Sequence, residues 1–360
     1  MNGLVIGVMT GTSIDAIDIA LLQIKKNLPF KLVDFYSKKI PRKLKDEINS
    51  LTTPNITNIQ TLANITNKFS REIADNINIF LKKNGHKSRI IVCGVHGQTI
   101  AHSPQQGFSL QICNPHLIAE LTELRVVFDF RNRDIARGGQ GAPLAPLFHS
   151  QIAPKDFQTV FVNIGGIANI SIITNTSTRG FDVGPGNCLL DLWTKKNMNR
   201  AFDLNGNWAR TGSVNSQLLR VFQSDVFFKK KFPKSTSTQY FSSEWLEGKL
   251  GKFKPEVLPS RDIQATLTEL TATAISKSIP KSCKKIYICG GGFKNSYLIE
   301  RIKVNTKKTV ESTKSIGWDP MCIESCCFGW LALQTYLGNK LDLRKITGSR
   351  HVGVSGAITA

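Results

Sequence analysis

The sequence predicts an α/β chain built from two similar halves, and three observations carry that prediction. A β-rich apolar run, a glycine-containing turn and a second apolar run open the chain from Leu4 to Ile24, and the same layout returns from Phe157 to Ile173. Other stretches repeat apolar residues every three or four positions, as helices do: Leu51, Ile56, Ile59, Leu62, Ile65, Phe69, Ile73 and Ile77. A glycine-rich turn, CGGGFKN at Cys289 to Asn295, leads from an apolar run into a further helical stretch.

Taken in order, Leu4 to Met9 reads as a strand, Thr10 to Asp15 as a turn, Ala16 to Ile24 as a second strand and Phe30 to Ile40 as a third. Helical spacing runs from Lys43 to Lys83. A buried strand follows at Ile90 to Gly94, then HGQTIAH, and another strand ends at Asp129. RNRDIARGGQGAP reads as a long functional loop. In the second half, Phe157 to Ile164 and Ile170 to Ile173 are strands around the turn GGIAN, and Ala201 to Lys254 reads as a mostly helical insertion rich in Lys and Ser. Helices are predicted at Ile263 to Ile279, Tyr297 to Ile302 and Pro320 to Leu337, with a strand at Ile286 to Cys289. The expected domains are residues 1–135 with 340–360, and 136–339, with no recognisable linker.

With 360 residues and 41% hydrophobic content, two buried cores are affordable in size. The N-terminus lacks a basic region before its apolar run, and no stretch has the apolar length of a membrane span. The chain therefore reads as soluble and cytoplasmic. Eight cysteines form no C-x-x-C pair and read as small buried hydrophobes in a reducing compartment; CIESCC has helical spacing and no nearby histidine, so no metal site is expected. The net charge of +21 raises nucleic acid as a partner. The lysines, however, are scattered in short groups without interleaved aromatics or a nucleic-acid motif, so the charge reads as a solvated surface.

The turns carry the chemistry. GTSIDAID, Gly11 to Asp18, is not a Walker loop. It places Gly11, the hydroxyls of Thr12 and Ser13, and the acids Asp15 and Asp18 at a hairpin tip, where backbone N–H groups suit a polyphosphate and an acid suits Mg²⁺. NIGGIANIS, Asn163 to Ser171, repeats the device, and Gly290, Gly291 and Gly292 allow a backbone to lie flat against a purine and ribose. The alternative for each is an ordinary turn. GFDVGPGNCLLD, Gly180 to Asp191, sets one carboxylate, Asp182, on a short loop before a helix that Asn187 is placed to cap.

Two phosphate hairpins in two similar halves and a nucleoside turn form the pattern of the actin–hexokinase–Hsp70 ATPase superfamily. The blocks MTGTSIDAIDIALL, GVHGQTIAHSP, VVFDFRNRDIARGGQGAPLAPLFH, VNIGGIANIS, GFDVGPGNCLLD, KSTSTQYF, DIQATLTELTA, ICGGGFKN and ITGS resemble the anhydro-N-acetylmuramic acid kinase family, from about residue 3 to the C-terminus. The resemblance implies a two-lobed, ribonuclease H-like ATPase fold with duplicated β-sheet domains and a cleft. It also implies an ATP- and Mg²⁺-dependent enzyme that opens a 1,6-anhydro amino sugar with water and phosphorylates O6, in peptidoglycan recycling, and a homodimer. By position, Asp182 becomes the catalytic base; Gly11, Thr12, Ser13, Ile14, Asp15, Ala16, Ile17, Asp18, Asn163, Gly165, Gly166, Asn169, Gly290, Gly291, Gly292 and Asn295 become the ATP-binding set. Gln98, Arg131, Asp134, Gln140 and Glu324 fall around the sugar, with His96 beside them.

Alternatives stay open at single residues. Arg131 and Asp134 pair as a brace instead, His96 is a core histidine, and Glu324 is a first-turn acid favoured by its helix dipole. The sequence also departs from the family: Ala16, Cys113 and Glu123 stand where glycines are usual, and KSTSTQYF lacks the Gly-Arg-Glu that follows KST. Two competing functions remain, a kinase of another amino sugar and a non-catalytic protein that binds ATP or nucleic acid.

Overall fold

The computed structural model describes every residue except 1, 12, 26–29, 53–57, 86, 155–157 and 254–257. The chain divides into two units, residues 1–152 with 322–360, and residues 153–321. The last long helix, expected with the second half, therefore belongs to the first.

In the first unit β1 (Gly3–Thr10) and β2 (Ala16–Ile24) form an antiparallel hairpin, and β3 (Lys31–Lys39) pairs with β2. Every residue of β1 is buried, as in a strand covered on both faces. Two helices follow, α1 (Arg42–Ser50) and α2 (Ile59–Asn84), where the spacing predicts one run. Asn58 starts α2 by accepting from the Thr61 N–H at 3.0 Å, and Gly85 ends it with φ 63°. Next come β4 (Ile90–Val95), the separate hairpin β5 (Gln98–Ser103) and β6 (Phe108–Ile112), α3 (Pro115–Thr122) and β7 (Val126–Phe128). Helix α3 ends at Glu123 with φ 56°, the left-handed position for which glycine is best suited, so the family's usual glycine there has a backbone cause. The expected long loop after Asp129 instead begins as α4 (Phe130–Ile135), because Phe130, Asp134 and Ile135 are buried; α5 (Ala145–Ile152) ends this part. Six residues are too few for helical spacing to show in sequence.

The second unit opens with β8 (Thr159–Ile164), β9 (Ile167–Ile173) and β10 (Thr178–Pro185), then α6 (Cys188–Met198). The helical insertion is present as α7 (Asn207–Arg210), α8 (Ser216–Gln223), α9 (Val226–Lys229) and α10 (Ser243–Phe253), whose Phe222, Phe227, Phe241 and Leu246 share a core with Leu189 and Trp193 of α6. After α11 (Ser260–Ser278) come β11 (Lys285–Cys289), α12 (Ser296–Thr306) and β12 (Thr309–Ser312). The chain returns to the first unit with α13 (Ile323–Tyr336) and β13 (Ala357–Ile358).

The two main sheets show the duplication directly. The first runs β13-β7-β4-β1-β2-β3 and the second β10-β9-β8-β11-β12. In each, three consecutive antiparallel strands run outward from the centre in chain order, β1-β2-β3 and β8-β9-β10, and two parallel strands extend the other side, first β4 and β7, then β11 and β12. This is the duplicated ribonuclease H-like α/β plan.

Helix α13 lies against β1 and β4 with backbone touching backbone. A Cβ on Gly7 would fall 1.8 Å from the Ser325 carbonyl oxygen, and one on Gly94 2.2 Å from that of Phe328. Gly329 faces Gly7 from the helix side, with its own Cβ position 3.0 Å from the Gly7 nitrogen. Glycine within strands otherwise weakens them; here it lets a helix approach closely. Gly94→Ala is expected to destabilise the first unit by about 1–3 kcal/mol. A urea titration checks this, and an unchanged midpoint would show that α13 does not need the close approach.

Candidate active site

Asp182 is not on a loop. It sits within β10, opposite Asn169 of β9, which is itself opposite Asn163 of β8. Directly opposed residues in antiparallel strands present their side chains to the same face, so the three polar residues form one row across the sheet. The glycine–proline–glycine sequence disguises the strand, which runs on to Pro185 through a register shift between Asp182 and Gly184. Asp182 is 5% exposed, and its Oδ2 accepts from the Thr236 N–H at 2.9 Å. Its own N–H donates to the Lys234 carbonyl at 3.1 Å. The Asn169 amide oxygen is buried without a hydrogen-bond partner among the described residues, a costly state for a polar atom.

The GPGN turn grips the second hairpin. The N–H groups of Gly186 and Cys188 donate to the Gly166 carbonyl at 2.9 and 3.1 Å, and that of Asn187 donates to Gly165 at 2.8 Å. A Cβ on Gly186 would lie 2.3 Å from the Gly165 oxygen. The N–H groups of Gly186 and Asn187, just before α6, and of Cys188, its first residue, are thus spent on the hairpin. Asn187 occupies the cap position, yet its side chain does not cap; its Nδ2 points to the Ile164 carbonyl at 3.4 Å.

The third turn divides its glycines by role. Gly290 has φ 77°, and Cβ atoms on Gly290 and Gly292 would strike the Asn163 Oδ1 and Ile164 Cγ2 atoms, both at 2.3 Å. Only Gly291 stands exposed with nothing near its Cβ position, so the flat surface expected of three glycines reduces to one. Asn295 caps α12, its Oδ1 accepting from the Leu298 N–H at 3.0 Å.

In the first hairpin, Thr12 lies outside the described residues. Gly11 is open on the Cβ side, Ser13 and Asp15 are exposed, and Ile14 is buried at φ 54° with its N–H on the Gly11 carbonyl. The two acids separate: Asp15 is at the tip and pairs with Lys45, whereas Asp18 lies within β2 and accepts from Ser37 of β3. Ala16 starts β2 and Ile17 is buried in it.

The sugar-binding candidates cluster within the first unit. Arg131 donates from Nε to His96 Nε2 at 2.9 Å and from a terminal nitrogen to the Gly141 carbonyl at 2.8 Å. His96 Nδ1 lies 2.8 Å from the Gly97 carbonyl, so its Nδ1–H donates there and Nε2 accepts from Arg131, the neutral tautomer. Asp134 is 1% exposed, and its oxygens accept from Thr347 Oγ1 and the Gly141 N–H, both at 2.8 Å. It therefore braces the glycine loop. Burial raises its pKa, opposed by those two hydrogen bonds. Gln140 follows in the braced loop, its N–H on the Thr347 carbonyl. Gln98 is 1% exposed, and its Oε1 has no hydrogen-bond partner among the described residues. Glu324 lies in the first turn of α13.

Sequence reasoning missed three residues. His102 on β5 is held by Ser109 at 2.9 Å, with its Nε2 buried and unpartnered. Lys234 and Thr236 hold Asp182. All three lie inside blocks that carry the resemblance, HGQTIAH and KSTSTQYF, which was the available signal.

A duplicated sheet with a glycine hairpin in each unit and a buried carboxylate on the third strand of the second unit is the build of the actin–hexokinase–Hsp70 class. The family model described as anhydro-N-acetylmuramic acid kinase matches residues 3–360. Proteins of that name from Nitrosospira multiformis and Legionella pneumophila are each 41% identical, the former over 98% of both chains and the latter over 99% of this chain and 98% of its own. One from Psychrobacter cryohalolentis is 37% identical over 99% of this chain and 94% of its own. Among solved structures, component A of (R)-2-hydroxyglutaryl-CoA dehydratase from Acidaminococcus fermentans aligns with 93% of this chain and 99% of its own, at 12% identity and a TM-score of 0.46. The chain belongs to the anhydro-N-acetylmuramic acid kinase family.

The buried histidines set a pH response. Burial, then the Arg131 charge, holds His96 well below the ordinary imidazole range and brings His102 to about 4; burial brings His149 to about 3. All three stay neutral in the folded chain where the unfolded chain begins to protonate them. Stability is thus present above pH about 6.5 and falls below it, by up to about 1.4 kcal/mol per pH unit for each group. Urea midpoints at about pH 8 and about pH 5 check this, and equal midpoints would refute it.

Proposed function

We propose that the protein is a kinase that opens 1,6-anhydro-N-acetylmuramic acid with water and transfers the γ-phosphoryl group of ATP to O6. The observation that carries the reading is the row Asn163–Asn169–Asp182, which joins the second glycine hairpin to the buried carboxylate on one sheet face. In this reading Asp182 takes a proton from water as the water oxygen bonds the anomeric carbon. The C1–O6 bond breaks, and the released O6 attacks phosphorus, with ADP leaving. A positioned base of this kind contributes about 10²–10⁴-fold.

In this reading a phosphate approaches the open Gly11 of the first unit, a nucleoside approaches the open Gly291 of the second, and Asn163 and Asn169 add amide groups within the second unit. Mg²⁺ suits hard oxygen donors, and Asp15 with the exposed Ser13 would hold it at the first hairpin tip. Bound there, it neutralises phosphate charge. Arg131, fixed by His96 and Gly141, presents a guanidinium suited to the sugar's lactyl carboxylate, and the unpartnered Gln98 Oε1 suits a hydroxyl or amide N–H. The reading includes action in the cytoplasm, where ATP is available, and a homodimer, which sedimentation tests. No helix among the described residues is long and apolar enough to cross a membrane.

The test is incubation with ATP and the anhydro sugar, reading ADP release and the 6-phosphate product. Asp182→Asn should keep ATP binding and lose at least about 10²-fold in turnover. Phosphorylation of N-acetylmuramic acid but not of its anhydro form would overturn the substrate assignment.

A further inference from the structure

Residues 232–236 lie alongside β10 and meet it through backbone and side chain. The Asp182 N–H donates to Lys234, and the Thr236 N–H donates to the Asp182 carboxylate, so two peptide groups fix both ends of the aspartate. The flank is anchored by Phe232, which stacks on Phe181 with centroids 5.6 Å apart and lies under Arg179 at 5.4 Å. Lys234 is half-buried, with its ammonium 4.5 Å from the Phe227 ring centroid and 3.4 Å from the Phe227 carbonyl. Thr236 Oγ1 is buried and has no hydrogen-bond partner among the described residues. A buried, unpaired hydroxyl beside a carboxylate is unfavourable until a polar molecule pairs it, which marks this spot as one that a ligand completes.

We propose that Lys234 to Thr236 form a positioning element for Asp182, in which the Thr236 N–H aims the carboxylate, Lys234 supplies a nearby positive charge and the Thr236 hydroxyl pairs with the molecule that Asp182 acts on. This rests on the reading of Asp182 as the base. It also gives the KST segment a role that does not depend on the Gly-Arg-Glu absent from this chain.

Lys234 is a charged residue of this segment, its backbone bonded to Asp182 and its ammonium seated on Phe227. Burial lowers the Lys234 pKa, the Asp182 charge raises it and Lys230 lowers it further. On the neighbouring elements, Arg179 of β10 stacks over Phe232, β9 contributes the uncharged Asn169 opposite, and Glu269 of α11 is bound by Arg301 at 2.7 Å and Asn305 at 2.8 Å. Since attraction between Lys234 and Asp182 favours both charged forms, removing the lysine makes the carboxylate easier to protonate. The acid limb of turnover then moves to higher pH.

Steady-state kinetics from about pH 5 to about pH 9, with thermal melting alongside, test the proposal. Lys234→Met should shift the acid limb of kcat upward by about half a unit or more, and Lys234→Arg should restore it. Thr236→Val keeps the N–H and removes only the unpartnered hydroxyl; it should lower kcat about tenfold while the melting temperature holds or rises. An unmoved acid limb in Lys234→Met, or full turnover in Thr236→Val, overturns the proposal. Retained turnover in Asp182→Asn instead overturns the assignment of the base, so the two failures are distinguishable.

Discussion

The second unit depends on one close approach, that of Gly186 to the carbonyl of Gly165, where a single added carbon would sit 2.3 Å from the oxygen. Because the backbone passes so near, three successive N–H groups at the start of α6 reach the hairpin carbonyls of Gly165 and Gly166. The strand that ends in this turn is the one that bears Asp182. Hairpin, Asp182-bearing strand and the start of the following helix are therefore tied together by backbone hydrogen bonds. Preorganisation of this sort is what phosphoryl transfer requires, since positioning and charge complementarity supply most of its rate.

Much of this was legible in the sequence, for reasons that differ by residue. The hairpins were readable because continuous burial in β1 and β8 imposes apolar runs and the turns between strands favour glycine. The boundaries of β2 came out to the residue at Ala16 and Ile24. Helix α4 was not readable, since six residues carry too few apolar positions to show a period. Strand β10 was hidden by Gly184, Pro185 and Gly186, which read as a turn, although the pairing with β9 continues to Pro185. Among the candidate residues, Asp182 in the second unit and Arg131 and Gln98 in the first stood out by their motifs. The buried state of Asp134 and the support given by residues 234–236 are long-range facts, set by contacts more than fifty positions apart in the chain.

The glycines separate into two populations that sequence alone does not distinguish. Gly7, Gly94, Gly186, Gly290 and Gly292 are small because another part of the chain presses on them, while Gly11 and Gly291 have room to spare. The buried polar atoms separate similarly. Those of Asp134 are matched within the chain, whereas Gln98 Oε1, Asn169 Oδ1 and Thr236 Oγ1 are not. Both the open glycines and the unmatched polar atoms lie within the family motifs.

Helix α13 and strand β13 reach the first unit only after residues 153–321 have been made, and the second unit is continuous in that interval. On the ribosome the second unit is thus the first able to close its core. The N-terminal strands must wait with Gly7 and Gly94 bare until the helix that seats on them emerges. Synthesis order and domain order run in opposite senses, and the uncovered sheet is the species that a chaperone would meet.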